Sequence, residues 1–317
     1  MLATIPEAHV PRSAAITDAI GASVAYLASD AALRSIELDP YWPKWDSPWW
    51  HMLVLHELGE TQRIPRQITE AMTAGLDRML HFFPIQADEA PGADLHRDVA
   101  CHCALGTMVP LLAACGIDVE RALPWVAPWF ARYQLADGGL NCDEKAYLVA
   151  GESPSSMVAT VPAFELLLSH PGPALDRAAH FLIERALVHG SSTVHNAAER
   201  DAAPSWQELA FPRFYFYDIL RGLTALSRWR GPIPRAAIEP AVTAMCTRFP
   251  DGVVRIGRQA IAGRGTLIPT ADHSPSPRGT PTTFPLLDAV SVVGAPSEAL
   301  TREWNQTRAR LLAADLV

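Results

Sequence analysis

The sequence predicts an all-α protein: a closed ring, or α/α toroid, of about five to six helical hairpins, with an inner and an outer ring of helices, built as one domain over residues 1–317. Three observations predict it. Apolar segments ending in glycine recur at near-regular spacing, the segments before and after each glycine have different hydrophobic patterns, and strand patterns are scarce.

The recurring segments end at Gly59, Gly116, Gly172, Gly231 and Gly294, with intervals of 57, 56, 59 and 63 residues. Glycine is the usual residue just past a helix end, where φ turns positive. A second helical pattern follows each glycine, so the unit is helix, tight turn, helix, long loop. The helix before the glycine is apolar nearly all round, as in Ser156–Leu168. The helix after it is amphipathic: Leu175, Ala178, Ala179, Leu182 and Ile183 share one face, and Asp176, Arg177, Glu184 and Arg185 the other. A helix apolar on every side is buried, and an amphipathic one lies at the surface. Inner helices are therefore expected near 48–58, 99–115, 155–169, 214–229 and 283–293. Outer helices are expected near 12–28, 64–82, 119–133, 174–188, 235–248 and 297–314. The best strand pattern is Val253–Ile261. The outer-to-inner loops, near 29–47, 83–98, 134–154, 189–213 and 249–282, are long and gather at one end of the ring. Loops of that length in a compact fold usually carry function.

Composition sets the outer bounds. Hydrophobic residues make up 49% of the chain and charged residues 19%, enough for a large core and inconsistent with disorder. A net charge of -8 argues against nucleic acid or an anionic membrane as partner. No apolar run approaches the ~18 residues of a membrane span, and residues 1–12 lack a signal-peptide pattern. Five cysteines, an odd number without an export signal, read as reduced thiols in a cytoplasmic protein. A small-molecule ligand is the expected partner, for a monomer or an oligomer.

Gln134-Leu-Ala-Asp137-Gly138-Gly139-Leu140-Asn141-Cys142 resembles the Gln-x-x-Asp-Gly-Gly-x loop of the prenyltransferase and squalene-cyclase repeat superfamily. Ser155–Thr160 resembles the small-residue start of that family's inner helices, and Phe249-Pro-Asp251-Gly252-Val253 is a weaker second copy of the loop. The resemblance implies an α/α toroid with a central cavity. The family's members include triterpene cyclases, protein prenyltransferase β-subunits and many uncharacterised bacterial proteins. The chain departs from them in lacking Asp-x-Asp-Asp, Asp-Asp-x-x-Asp and a clear Asp-x-Cys. Protonation-initiated cyclisation, class I terpene chemistry and the prenyltransferase zinc site therefore do not carry over.

Asp98-Val-Ala-Cys101-His102-Cys103 is the stretch richest in chemistry. On a helix, Asp98, Cys101 and His102 stand at i, i+3 and i+4, one face bearing three zinc ligands, and three protein ligands plus water is the catalytic zinc pattern. Zinc is thus the candidate cofactor; simple packing of small residues near the ring axis is the alternative. His102, Cys142, Asp143, His195, Tyr217 and Asp218 are the candidate acid–base groups, expected around one pocket at the loop end. Trp49, Trp50, His51, Trp206, Phe214 and Tyr215 are candidate substrate walls, with sealing of the core as the other role for such aromatic side chains. His56 reads as a core residue, and His273 sits in a Pro- and Ser-rich loop that resembles a lid. The expected function is acid–base chemistry on a small, largely apolar, isoprenoid-like molecule, by a lyase, isomerase or transferase. A non-catalytic binding protein and a metal-dependent enzyme are the alternatives.

Overall fold

In the computed structural model, residues 2–86, 88–272 and 276–316 are described; His273 lies outside them. The helices are α1 (Ala14–Leu27), α2 (Asp30–Leu38), α3 (Pro48–Glu57), α4 (Arg66–Asp77), α5 (His102–Ala114), α6 (Val119–Ala122), α7 (Trp129–Tyr133), α8 (Met157–Leu167), α9 (Pro173–Glu184), α10 (Ala197–Ala202), α11 (Ile219–Leu226), α12 (Arg235–Arg248), α13 (Pro285–Val290) and α14 (Glu298–Ala313). Among the described residues the paired strands are two short antiparallel ones, β1 (Thr266–Leu267) and β2 (Arg278–Gly279). The expected strand at 253–261 forms only isolated bridges, Arg255 to Pro296 and Ala210 to Arg258. No helix among the described residues is long and apolar enough to cross a membrane.

Helix starts follow capping chemistry. Ser13, Ser29, Asp218 and Ser297 each accept a hydrogen bond from a first-turn amide, and Pro48, Pro173 and Pro285 sit at first helical positions. The cap at Ser29 starts α2 inside what reads as a loop. Pro124 and Pro128 break the single helix expected over 119–133 into α6 and α7. Gly59, Gly116 and Gly294 have the expected positive φ, whereas Gly172 and Gly231 do not.

Burial separates the two kinds of helix. In α3 every residue from Pro48 to Leu55 is buried, and in α5 every residue from His102 to Val109. In α4 and α9 buried residues recur at three- and four-residue spacing on one face. In the C-terminal pair the expected inner helix is cut short. The stretch near 283–293 yields only the six-residue α13, which buries Leu286, Leu287 and Val290 against α1 and α3 while Val292 and Val293 are exposed. The expected outer helix forms as α14, which buries one face through Ala299, Leu300, Trp304 and Leu311 and exposes Gln306, Ala309 and Arg310 on the other. Its polar residues Thr301, Glu303, Thr307 and Arg308 are hydrogen-bonded to the Val254 amide, Arg213, Thr224 and the carbonyls of Ile5 and Pro6.

The two Asp-Gly loops are built alike. The Asp137 carboxylate accepts from the Gly139 amide and the Asp251 carboxylate from the Val253 amide. Gly138 and Gly252 both have positive φ. The next amide, Leu140 or Val254, donates to Thr160 or Thr301, and the amide of Ser156 or Ser297 donates back to the Leu140 or Val254 carbonyl. Each loop thereby stitches the incoming chain to the first turn of a helix, α8 or α14. The motif is a connector.

Helices α3, α5, α8, α11 and α14 line one cavity of about 590 Å³ through Glu57, Thr107, Glu165, Thr224 and Glu303. The buried charges there are paired. Arg213 reaches Glu57, Asp218 and Glu303, and Arg221 makes a two-pronged contact with Glu165 at 2.6 and 2.9 Å.

The closest helix approach is α5 on α8. A Cβ built on Gly106 would lie 2.4 Å from the Pro162 carbonyl carbon, a backbone atom that cannot step aside. Gly106→Ala should therefore destabilise by about 1–3 kcal/mol despite gaining helix propensity. Gly21→Ala in α1 meets no atom within 4 Å and should stabilise by about 0.5–1 kcal/mol. Urea midpoints moving in opposite directions check the pair; a stable Gly106→Ala protein would refute the close packing.

Candidate functional site

Three of the five thiols meet. Cys101, Cys103 and Cys142 place their sulfurs within 4.8 Å of one another, with Cys101 and Cys103 3.1 Å apart. Local structure explains the meeting. Helix α5 begins at His102, so Cys101 is its N-cap with extended backbone (φ -78°, ψ 166°), and its side chain lies beside that of Cys103. Cys142 arrives on the segment that follows the Asp137-Gly138-Gly139 turn.

A chain of hydrogen bonds docks that segment. The Trp129 indole donates to His102 Nδ1 at 2.8 Å, and Tyr147 Oη lies 2.9 Å from His102 Nε2. An indole N–H can only donate, so Nδ1 is an acceptor and the proton of the neutral ring sits on Nε2. That proton goes to Tyr147 Oη, which also takes the Asn141 amide and donates to the Asn141 carbonyl. The Asn141 side chain holds the Pro154 carbonyl and the Asp143 amide. Asn141, next to Cys142, is thus fixed on four sides. Burial lowers the His102 pKa to about 4.

Cys101 and Cys142 line a cavity of about 360 Å³. Its walls are Tyr41, Trp42, Trp49, Met79, Phe83 and Val99; its polar groups are Lys44, His96, Glu144, Cys101 and Cys142. The buried pair Asp39–Arg97 (3.0 Å) organises the wall, because Asp39 also accepts the amides of Tyr41 and Trp42. The Trp42 indole donates to the His96 carbonyl. Lys44 donates to Tyr215 Oη at 3.1 Å and stands 4.9 to 5.8 Å from the ring centres of Trp42, Tyr41, Tyr215 and Trp45, a cation held by aromatic faces. Desolvation lowers its pKa. Hydrogen bonds from the two neighbouring thiols hold Cys101 well below the ordinary thiol range, and donating those hydrogen bonds to Cys101, together with burial, raises Cys103 and Cys142 above it.

The residues expected around one pocket are dispersed. Cys142 lines the thiol cavity. His102 is buried beneath it with both ring nitrogens engaged, so neither offers a lone pair to a metal or substrate. Asp98 is exposed and accepts the Asp94 amide. The proposed Asp98, Cys101, His102 zinc face is therefore corrected: the helix starts too late to align them, and Cys103 and Cys142 join Cys101 instead. Asp143 and His195 pair with each other at 2.9 Å on the surface. Tyr217 is fully buried, bonded to the Leu187 carbonyl and packed on Trp206. Asp218 caps α11 and contacts Arg213, and burial pushes its carboxyl up.

Of the aromatic candidates, Trp49 lines the thiol cavity and Tyr215 receives Lys44. Trp50 is core, its indole on the Tyr41 carbonyl. Phe214 lines the five-helix cavity at φ 53°. His51 faces a third pocket with Ser23, Tyr26 and Asp46, and His56 is bonded to Thr61. Sequence reasoning passed over Cys103, Lys44, Phe83 and the Arg213–Glu303 network. Cys101-x-Cys103 was the one available signal, since two of five cysteines fall within three residues.

No protein-family profile, curated protein or solved structure matches this chain.

Burial lowers the His51 pKa from 6.5 to about 3. The ring is stacked 3.6 Å from Phe284 and bonded to Ser23. The unfolded chain takes up a proton near pH 6.5 that the folded one refuses, so His51 costs stability as pH falls from 6.5 toward 3. His51→Gln should lose about 2 kcal/mol less than wild type between pH 6.5 and 4.5, measured by urea unfolding at both values. Parallel losses in the two proteins would show that His51 is not shielded.

Proposed function

We propose that the chain is an α/α toroid of the prenyltransferase and squalene-cyclase kind, and an enzyme that acts on a small, largely apolar molecule in the thiol-lined aromatic cavity. The ring reading is supported by the five helices that share one cavity and by the twin Asp-Gly stitches before α8 and α14. One observation carries the functional reading: an aromatic wall, a half-buried lysine and two thiols of a three-thiol cluster converge on the same cavity of about 360 Å³. Ligand sites of this kind are mostly apolar, with a few polar groups that fix orientation.

Each residue has a part. Tyr41, Trp42, Trp49 and Phe83 take the apolar body. Lys44 donates one hydrogen bond to Tyr215, and its remaining N–H groups suit a carboxylate, phosphate or carbonyl on the ligand. Arg97 and Asp39 hold the loop that carries Lys44. The reacting end of the molecule meets the thiols. This replaces the dispersed acid–base set of His102, Asp143, His195, Tyr217 and Asp218.

Wall tryptophans make the reading testable by fluorescence. Titration with geranic acid and decanoic acid, each against its alcohol, should give saturable quenching. Lys44→Met should weaken the acids at least tenfold and the alcohols little, since a buried charge-assisted hydrogen bond contributes about 1.5–3 kcal/mol. Absence of saturable quenching by all four compounds would sink the reading.

A further inference from the structure

We propose that Cys101, Cys103 and Cys142 bind one thiophilic divalent cation, zinc in the first instance, as a three-thiolate centre whose remaining coordination position opens onto the aromatic cavity. The inference deepens the reading above by naming a cofactor for the same cavity, but the metal centre stands on its own geometry.

Four observations lead there. The first is the spacing of the sulfurs. Zinc–thiolate bonds of about 2.3 Å at a tetrahedral angle put sulfurs about 3.8 Å apart. The cluster brackets that distance, with one pair at 3.1 Å and none beyond 4.8 Å, so side-chain rotations suffice to admit the ion.

The donor set is the second. Three sulfurs and no oxygen or nitrogen select zinc and other soft or borderline cations over calcium and magnesium. Cys115 and Cys246, the remaining cysteines, are outside the cluster.

Third, the site is open. Structural zinc sites are closed by four protein ligands, whereas catalytic ones keep a position for water or substrate. Here the obvious fourth ligand is withheld. His102 accepts from the Trp129 indole on Nδ1 and bonds Tyr147 with Nε2, and Asp98 is turned out to solvent. Cys101 and Cys142 line the cavity while Cys103 does not, so an ion on the three sulfurs is backed by Cys103 and faces the cavity between the other two.

The fourth is charge and support. Binding releases to solvent whatever protons the three thiols still carry and leaves two positive against three negative charges, with no change of oxidation state. The resulting single negative charge sits at the N-terminus of α5, a helix of 13 residues, where the positive end of the dipole lies. Lys44 lines the same cavity. The ligand loop is also braced, as metal sites require: the Trp129–His102–Tyr147–Asn141 chain clamps the residue next to Cys142 to the helix that carries Cys101 and Cys103.

The test uses reduced, chelator-stripped, untagged full-length protein. Zinc is titrated in competition with a chromophoric chelator, and cadmium and cobalt serve as spectroscopic probes. The expected result is one equivalent of metal, sulfur-to-metal charge-transfer absorption with cadmium, and a four-coordinate cobalt spectrum. Cys101→Ser, Cys103→Ser and Cys142→Ser should each weaken zinc binding at least tenfold, whereas Cys115→Ser and Cys246→Ser should leave it unchanged. The wild-type titration decides the matter even where a variant fails to fold. Lack of stoichiometric wild-type binding, a disulfide within the trio in freshly purified protein, or an equal loss in the Cys115 or Cys246 variants would overturn the proposal. Decanoic acid quenching, run with and without zinc, separates the two readings. Metal binding without quenching leaves the centre standing and removes the small-molecule function; quenching without metal binding does the reverse.

Discussion

The contact of α5 with α8 at Gly106 is the constraint on which the remaining architecture rests. Both helices are buried on nearly all sides, and they approach so closely that a hydrogen on Gly106 occupies the room a methyl group would need. That approach fixes where both ends of α5 lie. Its N-terminus presents Cys101 to the thiol cavity with Cys103 behind it, and its middle and C-terminal part, through Thr107 and Pro110, lines the five-helix cavity. A shift in α5 would be felt in both places, because a close-packed interior transmits displacement rather than absorbing it.

Burial on all sides also dictates the polar chemistry. A side chain that must place a polar atom in such a core needs a partner, and leaving one unmet costs about 1–3 kcal/mol. The imidazole of His102 meets this demand with an indole on one nitrogen and a phenol on the other, and in doing so stops being a general base. The carboxylates Glu57, Glu165 and Glu303 meet it with two arginines and with backbone or hydroxyl donors. Residue types that suggest catalysis in a sequence are here spent on holding the helices together, while the accessible chemistry falls to a lysine and three sulfurs.

Much of the helical framework was legible in the sequence. Period and glycine spacing located α1, α3, α4, α5, α8, α9, α11 and α12, because an apolar stripe and a cap are local properties. In the C-terminal pair the outer helix α14 stands where it was expected, but the inner helix expected over 283–293 forms only over Pro285–Val290, and the partners of Arg308, about three hundred residues away, leave no local signal. The site was half legible. Cys101 and Cys142 were singled out, but the assumed i, i+3, i+4 face required a helix that already included Asp98. The helix starts at His102, and an N-cap side chain obeys different geometry from a helical one. Lys44 was invisible because its significance lies in aromatic rings contributed by residues 41–45 and by Tyr215, and no periodicity connects them.

Arg213 touches Glu57 of α3, near the start of the chain, and Glu303 of α14, near its end. Arg12 likewise joins Glu60 to Glu298, and Arg308 holds the carbonyls of Ile5 and Pro6. The order of synthesis then matters. Early helices emerge with carboxylates whose counter-charges have not yet been made, and loop closure over nearly the full chain precedes the last pairings. Contacts of this separation are non-local, the kind that slows folding relative to helix-by-helix assembly. Until α14 docks, the nascent protein exposes apolar helices with unpaired charges, the condition in which chaperones engage a chain.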